Sequence, residues 1–406
     1  MERLLIAQSG GPTVAINATV VGVLNVAFSS KKIDEVFGAV NGIQGVLDEN
    51  FINLSEKVSG AKELTLLTET PSAALGSCRL KLKDLDKDAK QFEKIVEVFK
   101  KYNVKYFIYI GGNDSMDTVD KLSFYCKKQG LDITVVGAPK TIDNDLVGTD
   151  HCPGFGSAAK YIGTTMAEII RDCQVYSIKA VTIVEVMGRN AGWLTAAAGL
   201  SRVNGGDGPD FIYLCEVPFD TAKFIADVKK KLEKKDAVVI AISEGIKNKE
   251  GKYISEEFQS GDVDAFGHSQ IAGAGRVLES IVAKEIGCKV RSIEFSLIQR
   301  CASHIASLTD IEESKMLGMK ACQCALDSEN GMMASIERVS NKPYKTKITA
   351  IPVSEVSNKE KKVTKNYIND EGNDITEEML EYLLPLIQGE NSVSYKNGIP
   401  EHIVLY

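Results

Sequence analysis

The chain has 406 residues, more than one hydrophobic core usually spans, so two domains are expected. Its 44% hydrophobic and 25% charged residues are those of an ordinary globular protein, and a net charge of −7 excludes a general nucleic-acid binder, which needs a basic face. No apolar run reaches the roughly 18 residues of a membrane span, and the N-terminus turns polar too soon for a signal peptide, so no membrane association and a cytoplasmic location are expected.

Leu4 to Ala7 reads as a short strand running into Gln8-Ser-Gly-Gly-Pro-Thr13, with a helix from Ile16 to Phe28 behind it. Strand, glycine-rich turn and helix make a phosphate-binding arrangement, because backbone N–H groups and a helix N-terminus favour an anion. The Walker and dinucleotide spacings are absent. Val36 to Val40 is the next strand, with Asn41, Gly42 and Gly45 as a turn. Gly76-Ser-Cys-Arg79 follows, where Arg79 taken alone reads as a solvated loop arginine. Phe92, Ile95, Val96 and Phe99 recur at helical spacing and face a sheet. Tyr106 to Ile110 is a buried strand ending in Gly111-Gly112-Asn113-Asp114-Ser115, with a helix continuing through Leu122.

Thr134 to Val136 is a fourth strand, stopped by Pro139, and its loop carries Lys140, Thr141, Asp143 and Asp145. Lys-Thr-x-Asp-x-Asp just beyond a strand combines a cation able to bind phosphate, a hydroxyl, and carboxylates able to serve as a metal ligand and as a general base. In an open α/β sheet that edge is where ligands bind.

The breaker-rich run His151 to Gly156 is a candidate crossing to a second lobe. There the strand Ala180–Val186 ends in Met187-Gly188-Arg189-Asn-Ala-Gly192, a helix spans Leu194 to Leu200, and Phe211 to Leu214 is another strand. The five lysines between Lys229 and Lys235 read as the wet face of a helix. The strand Ala237–Ile242 ends in Ser243-Glu244-Gly245. Ile293 to Gln299 leads to Arg300, and His304 reads as a structural histidine. Nine scattered cysteines read as reduced thiols, and Cys322 and Cys324, two apart on a helix, do not face one metal. Lys359 to Lys365 reads as an exposed charge run and Glu377 to Leu384 as a terminal helix. The fold class is α/β, with two Rossmann-like lobes of mainly parallel sheet and flanking helices. The expected division is 1–150 with part of 301–406, then 151–300, with 345–406 as a C-terminal extension of unread role.

These pieces resemble the phosphofructokinase family, and within it the pyrophosphate-dependent branch. The matching stretches stand in family order: SGGPTVAIN at 9–17, GSCR at 76–79, GGNDS at 111–115, PKTIDND at 139–145, VEVMGRNAG at 184–192, SEG at 243–245 and IQR at 298–300. The resemblance implies reversible transfer of a phosphoryl group from pyrophosphate to the 1-hydroxyl of fructose 6-phosphate, with Mg²⁺, in a homodimer or homotetramer whose sites are completed across subunits. It implies Asp143 as general base with Lys140 and Arg189 assisting. Gly11, Arg79, Gly112, Asp114 and Lys140 fall on the donor side. Thr141, Asp145, Met187, Gly188, Arg189, Glu244, Arg291 and Arg300 fall on the sugar-phosphate side, the last two at the 6-phosphate. The first lobe then binds the donor and the second the sugar phosphate.

Two residues bear on the donor. ATP-using relatives have glycine where this chain has Asp114, and a small residue where it has Lys140. A carboxylate that repels the nucleotide's α-phosphate and an ammonium that neutralises free pyrophosphate together select pyrophosphate. An ATP-dependent enzyme is the alternative within the class, and a non-catalytic subunit the alternative outside it. A salt bridge between Asp114 and Lys140 is the competing account of the pair. The chain departs from relatives in having Asn113 for a magnesium-binding Asp, which leaves Asp114, Asp143 and water as the implied ligands. It also has Ala180 beside Lys179 for a cross-subunit arginine, and Leu297 for a 6-phosphate contact. Val21 and Asn25 stand where regulated bacterial enzymes carry effector-binding arginines, so no nucleotide effector site of that kind is expected.

Overall fold

The computed structural model describes residues 2–258 and 273–406. Its main strands, in chain order, are β1 (Arg3–Gln8), β2 (Glu35–Ala39), β3 (Phe51–Asn53), β4 (Val104–Gly111), β5 (Thr134–Pro139), β6 (Ala180–Val186), β7 (Phe211–Tyr213), β8 (Ala237–Ser243), β9 (Lys289–Glu294), β10 (Met332–Asn341) and β11 (Tyr344–Pro352). The chain folds into two units. The first comprises 1–157, 300–361 and 387–406, the second 158–299 and 362–386. The stretch 345–406 is therefore divided between them rather than standing apart. No helix among the described residues is long and apolar enough to cross a membrane.

In the first unit the sheet order is β11-β10-β5-β4-β1-β2-β3. The inner strands run parallel, and antiparallel β3 and β11 close the two edges. Side chains alternate across the sheet. Leu4, Ile6, Ile108 and Ile110 pack under the helices Ile16–Ala27 and Leu308–Leu326. Leu5, Ala7, Phe107 and Tyr109 pack under Ala89–Lys101 and Asn113–Lys128. The helices Ile16–Ala27 and Leu308–Leu326 cross closely because each supplies a glycine: a Cβ on Gly22 or Gly318 would lie 2.0 Å from a carbonyl oxygen of the other helix. Cys322 and Cys324 are buried in this core.

The chain lays down β2 on one side of β1 and β4, then β5, on the other. The sheet thus reverses direction beside β1, and the loops after β1, β4 and β5 are neighbours at its carboxyl edge. In the second unit the all-parallel order β7-β8-β6-β9 makes the loops after β6, β8 and β9 neighbours in the same way. Its core joins Val181, Ile183, Val238 and Ile240 to Phe224, Val228, Leu278 and Val282.

Several local expectations need correction. Asn41 is left-handed (φ 65°), but Gly42 and Gly45 belong to a short helix, Gly42–Leu47, rather than to a turn. β5 continues to Pro139, because the proline closes the strand end, where its missing N–H costs nothing. Lys231 and Lys235 are not merely a wet face: both lie against Asp210, at 3.5 and 3.1 Å. His304 is exposed, not structural. Within the charge run, Val363 is buried and Lys361 carries internal hydrogen bonds.

Candidate active site

Of the residues expected on the donor side, Gly11 lies in the glycine loop after β1, and the loop of Arg79 and the Lys140 side chain are bonded to it. Gln8 is fully buried; its amide donates to Asn17 Oδ1 (2.8 Å) and accepts from the Leu75 N–H (2.9 Å). Asn17 in turn donates to the carbonyls of Thr70 and Ser72. These bonds bring the 70–79 loop against the β1 loop, where Ser77 Oγ donates to the Gly10 carbonyl (2.6 Å) and the Gly10 N–H to the Cys78 carbonyl (3.2 Å). Arg79 is exposed, but the loop that carries it is fixed at the glycines. Gln8, Asn17 and Ser77 are support residues that motif reading left without a role.

Lys140 enters the same loop. Its side chain is 1% exposed and its ammonium donates to the Gly11 carbonyl at 2.7 Å. Burial pulls its pKa down to about 8, against the opposing pull of the Asp143 and Asp145 carboxylates, and the Arg300 charge lowers it further. The small side of Gly10 is what admits the amine: a Cβ there would lie 3.2 Å from Nζ. Arg300, expected at the 6-phosphate, also reaches this loop, with a guanidinium nitrogen 3.3 Å from where a Gly11 Cβ would be. Gly112 precedes the helix Asn113–Lys128, whose first turn has no side-chain cap and so offers N–H groups to an anion. Asp114, in that turn, is exposed and pairs with Lys81 at 3.1 Å. The salt bridge considered between Asp114 and Lys140 is not formed.

The loop after β5 is closed on itself. Thr141 pairs with Gly154, and Thr141 Oγ1 accepts the Asp143 N–H at 3.1 Å. Asn144 is buried and left-handed (φ 55°), and its Oδ1 accepts the Cys152 N–H at 3.0 Å. Asp143 and Asp145 flank this fixed residue. Asp145 Oδ2 accepts from Asn113 Nδ2 at 3.4 Å, and burial raises the Asp145 pKa above the usual carboxylate range. Asp145 Oδ1 and Asn113 Oδ1 are buried oxygens with no hydrogen-bond partner. Two such acceptors on touching side chains suit a hard cation that keeps part of its water shell. Among the described residues no three acidic, histidine or cysteine side chains cluster as a metal site, and Asp114, the expected ligand, faces Lys81 instead.

In the second unit the loops after β6 and β8 interlock. Ser243 Oγ donates to the Gly188 carbonyl (2.6 Å), and Glu244 Oε1 accepts the Gly188 N–H (3.1 Å). The Met187 N–H donates to Gln299 Oε1 at 3.4 Å. Gly245 packs on Arg189: a Cβ would lie 1.9 Å from its carbonyl oxygen. Met187, Gly188, Arg189 and Glu244 are thus brought together. Arg291 is not. It pairs in register with Thr182, four residues before the end of β6, which places it about 13 Å back along the sheet from that edge.

Glu185, one strand position from this edge, receives the N–H groups of Gly273 (3.0 Å) and Gly275 (2.7 Å) at the start of the helix Ala274–Ile286. Burial, with the Glu294 and Glu244 charges, pushes its carboxyl up to about 7 from an ordinary 4.5. Between those values the folded chain keeps a proton that the unfolded chain has released. Stability contributed by this group therefore falls as pH rises through that window and levels off above it, a swing of about 3 kcal/mol. Thermal melts from pH 5 to 7.5 should show this slope in the native chain and a flatter one in Glu185→Gln. Coincident slopes would remove Glu185 as its source.

Over residues 3–294 the chain matches the phosphofructokinase family. It is 42% identical over 406 residues to the pyrophosphate–fructose 6-phosphate 1-phosphotransferase of Xanthomonas campestris, covering 99% of this chain and 96% of that one. It is 39% identical over 398 residues to the protein of the same name from Halomonas elongata, covering 97% and 94%. Among solved structures, the pyrophosphate-dependent phosphofructokinase from Nitrosospira multiformis matches with a TM-score of 0.89 at 37% identity, covering 99% of this chain and 96% of that one.

Proposed function

This chain belongs to the phosphofructokinase family, and on that premise we propose that it is a pyrophosphate-dependent 6-phosphofructokinase. It transfers a phosphoryl group reversibly from pyrophosphate to the 1-hydroxyl of fructose 6-phosphate, giving fructose 1,6-bisphosphate and phosphate. The observation that carries the donor assignment is the Lys140 ammonium buried within the glycine loop, 2.7 Å from Gly11 O. A fixed cation at that place meets a phosphate without a nucleotide attached to it.

Asp143 takes the proton from the sugar hydroxyl as its oxygen attacks phosphorus, and the bridging P–O bond of pyrophosphate breaks to release phosphate. Such transfer depends on positioning and on countercharge. Lys140, Arg79, Arg300 and the first turn of Asn113–Lys128 supply countercharge on the donor. Mg²⁺, which Asn113 Oδ1 and Asp145 Oδ1 are suited to hold, adds to it when bound. Thr141 and Asp145 keep the loop in shape beside Asp143. In the second unit Met187, Gly188, Arg189 and Glu244 bind the sugar phosphate, so the donor belongs to the first unit and most sugar contacts to the second. The enzyme works in the cytoplasm.

The test is initial rate with fructose 6-phosphate and Mg²⁺, comparing pyrophosphate with ATP at equal concentration. Turnover with pyrophosphate alone is expected. Turnover with ATP alone would overturn the donor, and turnover with neither would overturn the activity.

We place Arg291 in the site of a neighbouring subunit of a dimer or tetramer. Its distance from Met187 along the sheet supports this, as do the exposed apolar side chains Tyr176 and Ile178, which line a groove with it. Arg291→Ala and Asp143→Asn homo-oligomers are each expected to be nearly inactive at low sugar phosphate. Mixed after dissociation and reassembly, they should regain activity in hybrids that carry one intact site. No recovery would place Arg291 on its own chain's substrate or off the site.

A further inference from the structure

The charge run 359–365 and the segment before it have no part in the chemistry above, yet they make specific contacts with the loop after β5. Ser357 Oγ donates to Asp120 (3.0 Å) and Asn358 Nδ2 to Asp117 (2.8 Å), both on the helix Asn113–Lys128. Three residues on, the Lys361 N–H donates to the Asp145 carbonyl at 2.7 Å. The Lys361 ammonium then enters the turn itself, donating to the carbonyls of Asp150 (2.8 Å) and Thr149 (3.2 Å) and to Asn144 Oδ1 (3.4 Å). Its three N–H donors thus meet three oxygens of one loop. Burial holds this amine's pKa below the ordinary lysine value, as expected of a cation held inside a turn.

The two arms of the loop are secured differently. The later arm is tied down by buried side chains. Arg338 donates twice to Asp150 (2.8 and 3.0 Å), and His151 bridges Asp150 (2.8 Å) and Glu313 (2.6 Å). Asp310 accepts the N–H groups of Gly154 and Ser157. The earlier arm carries Asp143 and Asp145, and the strap reaches that arm at Asn144 and Asp145. Asn144 lies between the two carboxylates, is buried, and is held through its Oδ1, which accepts from both the Cys152 N–H and the Lys361 ammonium.

We propose that Ser357–Lys361 is a strap from the helix Asn113–Lys128 to the catalytic loop, and that Lys361 is a positioning residue that holds Asp143 and Asp145 in place for phosphoryl transfer. This gives the late part of the first unit a catalytic purpose without contact to substrate. A displacement of about 1 Å at a reacting group costs on the order of 10²-fold in rate. The proposal rests on the pyrophosphate-dependent activity described above, and the native enzyme's own turnover tests that reading separately.

The experiment compares the native full-length enzyme with Lys361→Met, assayed with pyrophosphate, fructose 6-phosphate and Mg²⁺, and with the folded fraction at assay temperature taken from circular dichroism. The expected result is a fall in kcat per folded molecule of about 10–10²-fold, with both KM values within about threefold of native. Lys361→Arg, which keeps the charge and the donors, should retain more activity than Lys361→Met. A native kcat per folded molecule with only a lower Tm would reduce the strap to a structural tie and overturn the proposal. Should Lys361→Met not fold, Asn358→Ala loosens the strap at its anchored end and is expected to lower kcat several-fold. Unchanged kcat in Asn358→Ala would then overturn the proposal equally.

Discussion

Replacing Asp143 by serine is expected to lower kcat by about 10²–10⁴-fold, the usual contribution of a positioned general base, while fructose 6-phosphate still binds. The loop geometry makes this a clean test. The main chain at residue 143 is held by its own N–H on Thr141 Oγ1 and by the neighbouring Asn144, whose Oδ1 takes the Cys152 N–H. Neither of these two bonds uses the Asp143 carboxylate, so both remain when it is removed. Met187, Gly188, Arg189 and Glu244, proposed to bind the sugar phosphate, are organised by Ser243 and Gly245 in the other unit. Calorimetric titration with fructose 6-phosphate should give a dissociation constant within a fewfold of native. Retention of full turnover would show that another group takes the proton. Loss of turnover together with loss of sugar binding would show that the loop had collapsed.

Much of this site could be read from local sequence because its parts follow strands. Polar and glycine-rich residues after Ala7, Ile110 and Val136 mark strand ends, and a parallel sheet gathers such ends on one edge. What local pattern does not carry is pairing across distance. The order of strands that makes three loops neighbours is a property of the whole sheet. Arg79 alone reads as a solvated arginine, since the bonds from Ser77 and Cys78 to Gly10 span 67 or more residues. Arg291 and Arg300 are alike as motif residues, yet strand register places one far from the edge of its own sheet while the other lies against Gly11. A run of lysines shows charge but not which ammonium turns inward, and Lys361 is the one that does. Lys140 was legible as a phosphate-site cation; its burial, and the depressed pKa that follows, required the fold.

That burial decides how the donor preference should respond to mutation. Asp114→Gly combined with Lys140→Gly is expected to raise turnover with ATP relative to pyrophosphate, chiefly by losing pyrophosphate. Removing one preorganised countercharge from a phosphoryl-transfer site costs on the order of 10²–10³-fold, so most of the change should come from Lys140. Asp114 is exposed and paired only with Lys81 at the surface, a contact worth about 0–1 kcal/mol to folding. Its replacement by glycine in the first turn of the helix should lower stability by about 1 kcal/mol at most, and its effect on turnover should fall on the nucleotide. Lys140 differs, because deleting it leaves the Gly11 carbonyl without its buried donor, a loss of about 1–3 kcal/mol. Lys140→Met, which keeps the volume, is the companion variant, and melting curves separate folding from catalysis. The depressed pKa supplies a second readout. The ammonium is lost as pH rises through about 8, so the native KM for pyrophosphate should climb above that pH, and the climb should exceed that of Lys140→Met, where only the ionisation of pyrophosphate itself remains. An unchanged ratio of ATP to pyrophosphate turnover in the double variant would refute the donor argument. Matching pH profiles in the native enzyme and Lys140→Met would remove Lys140 from pyrophosphate binding even if the ratio moved.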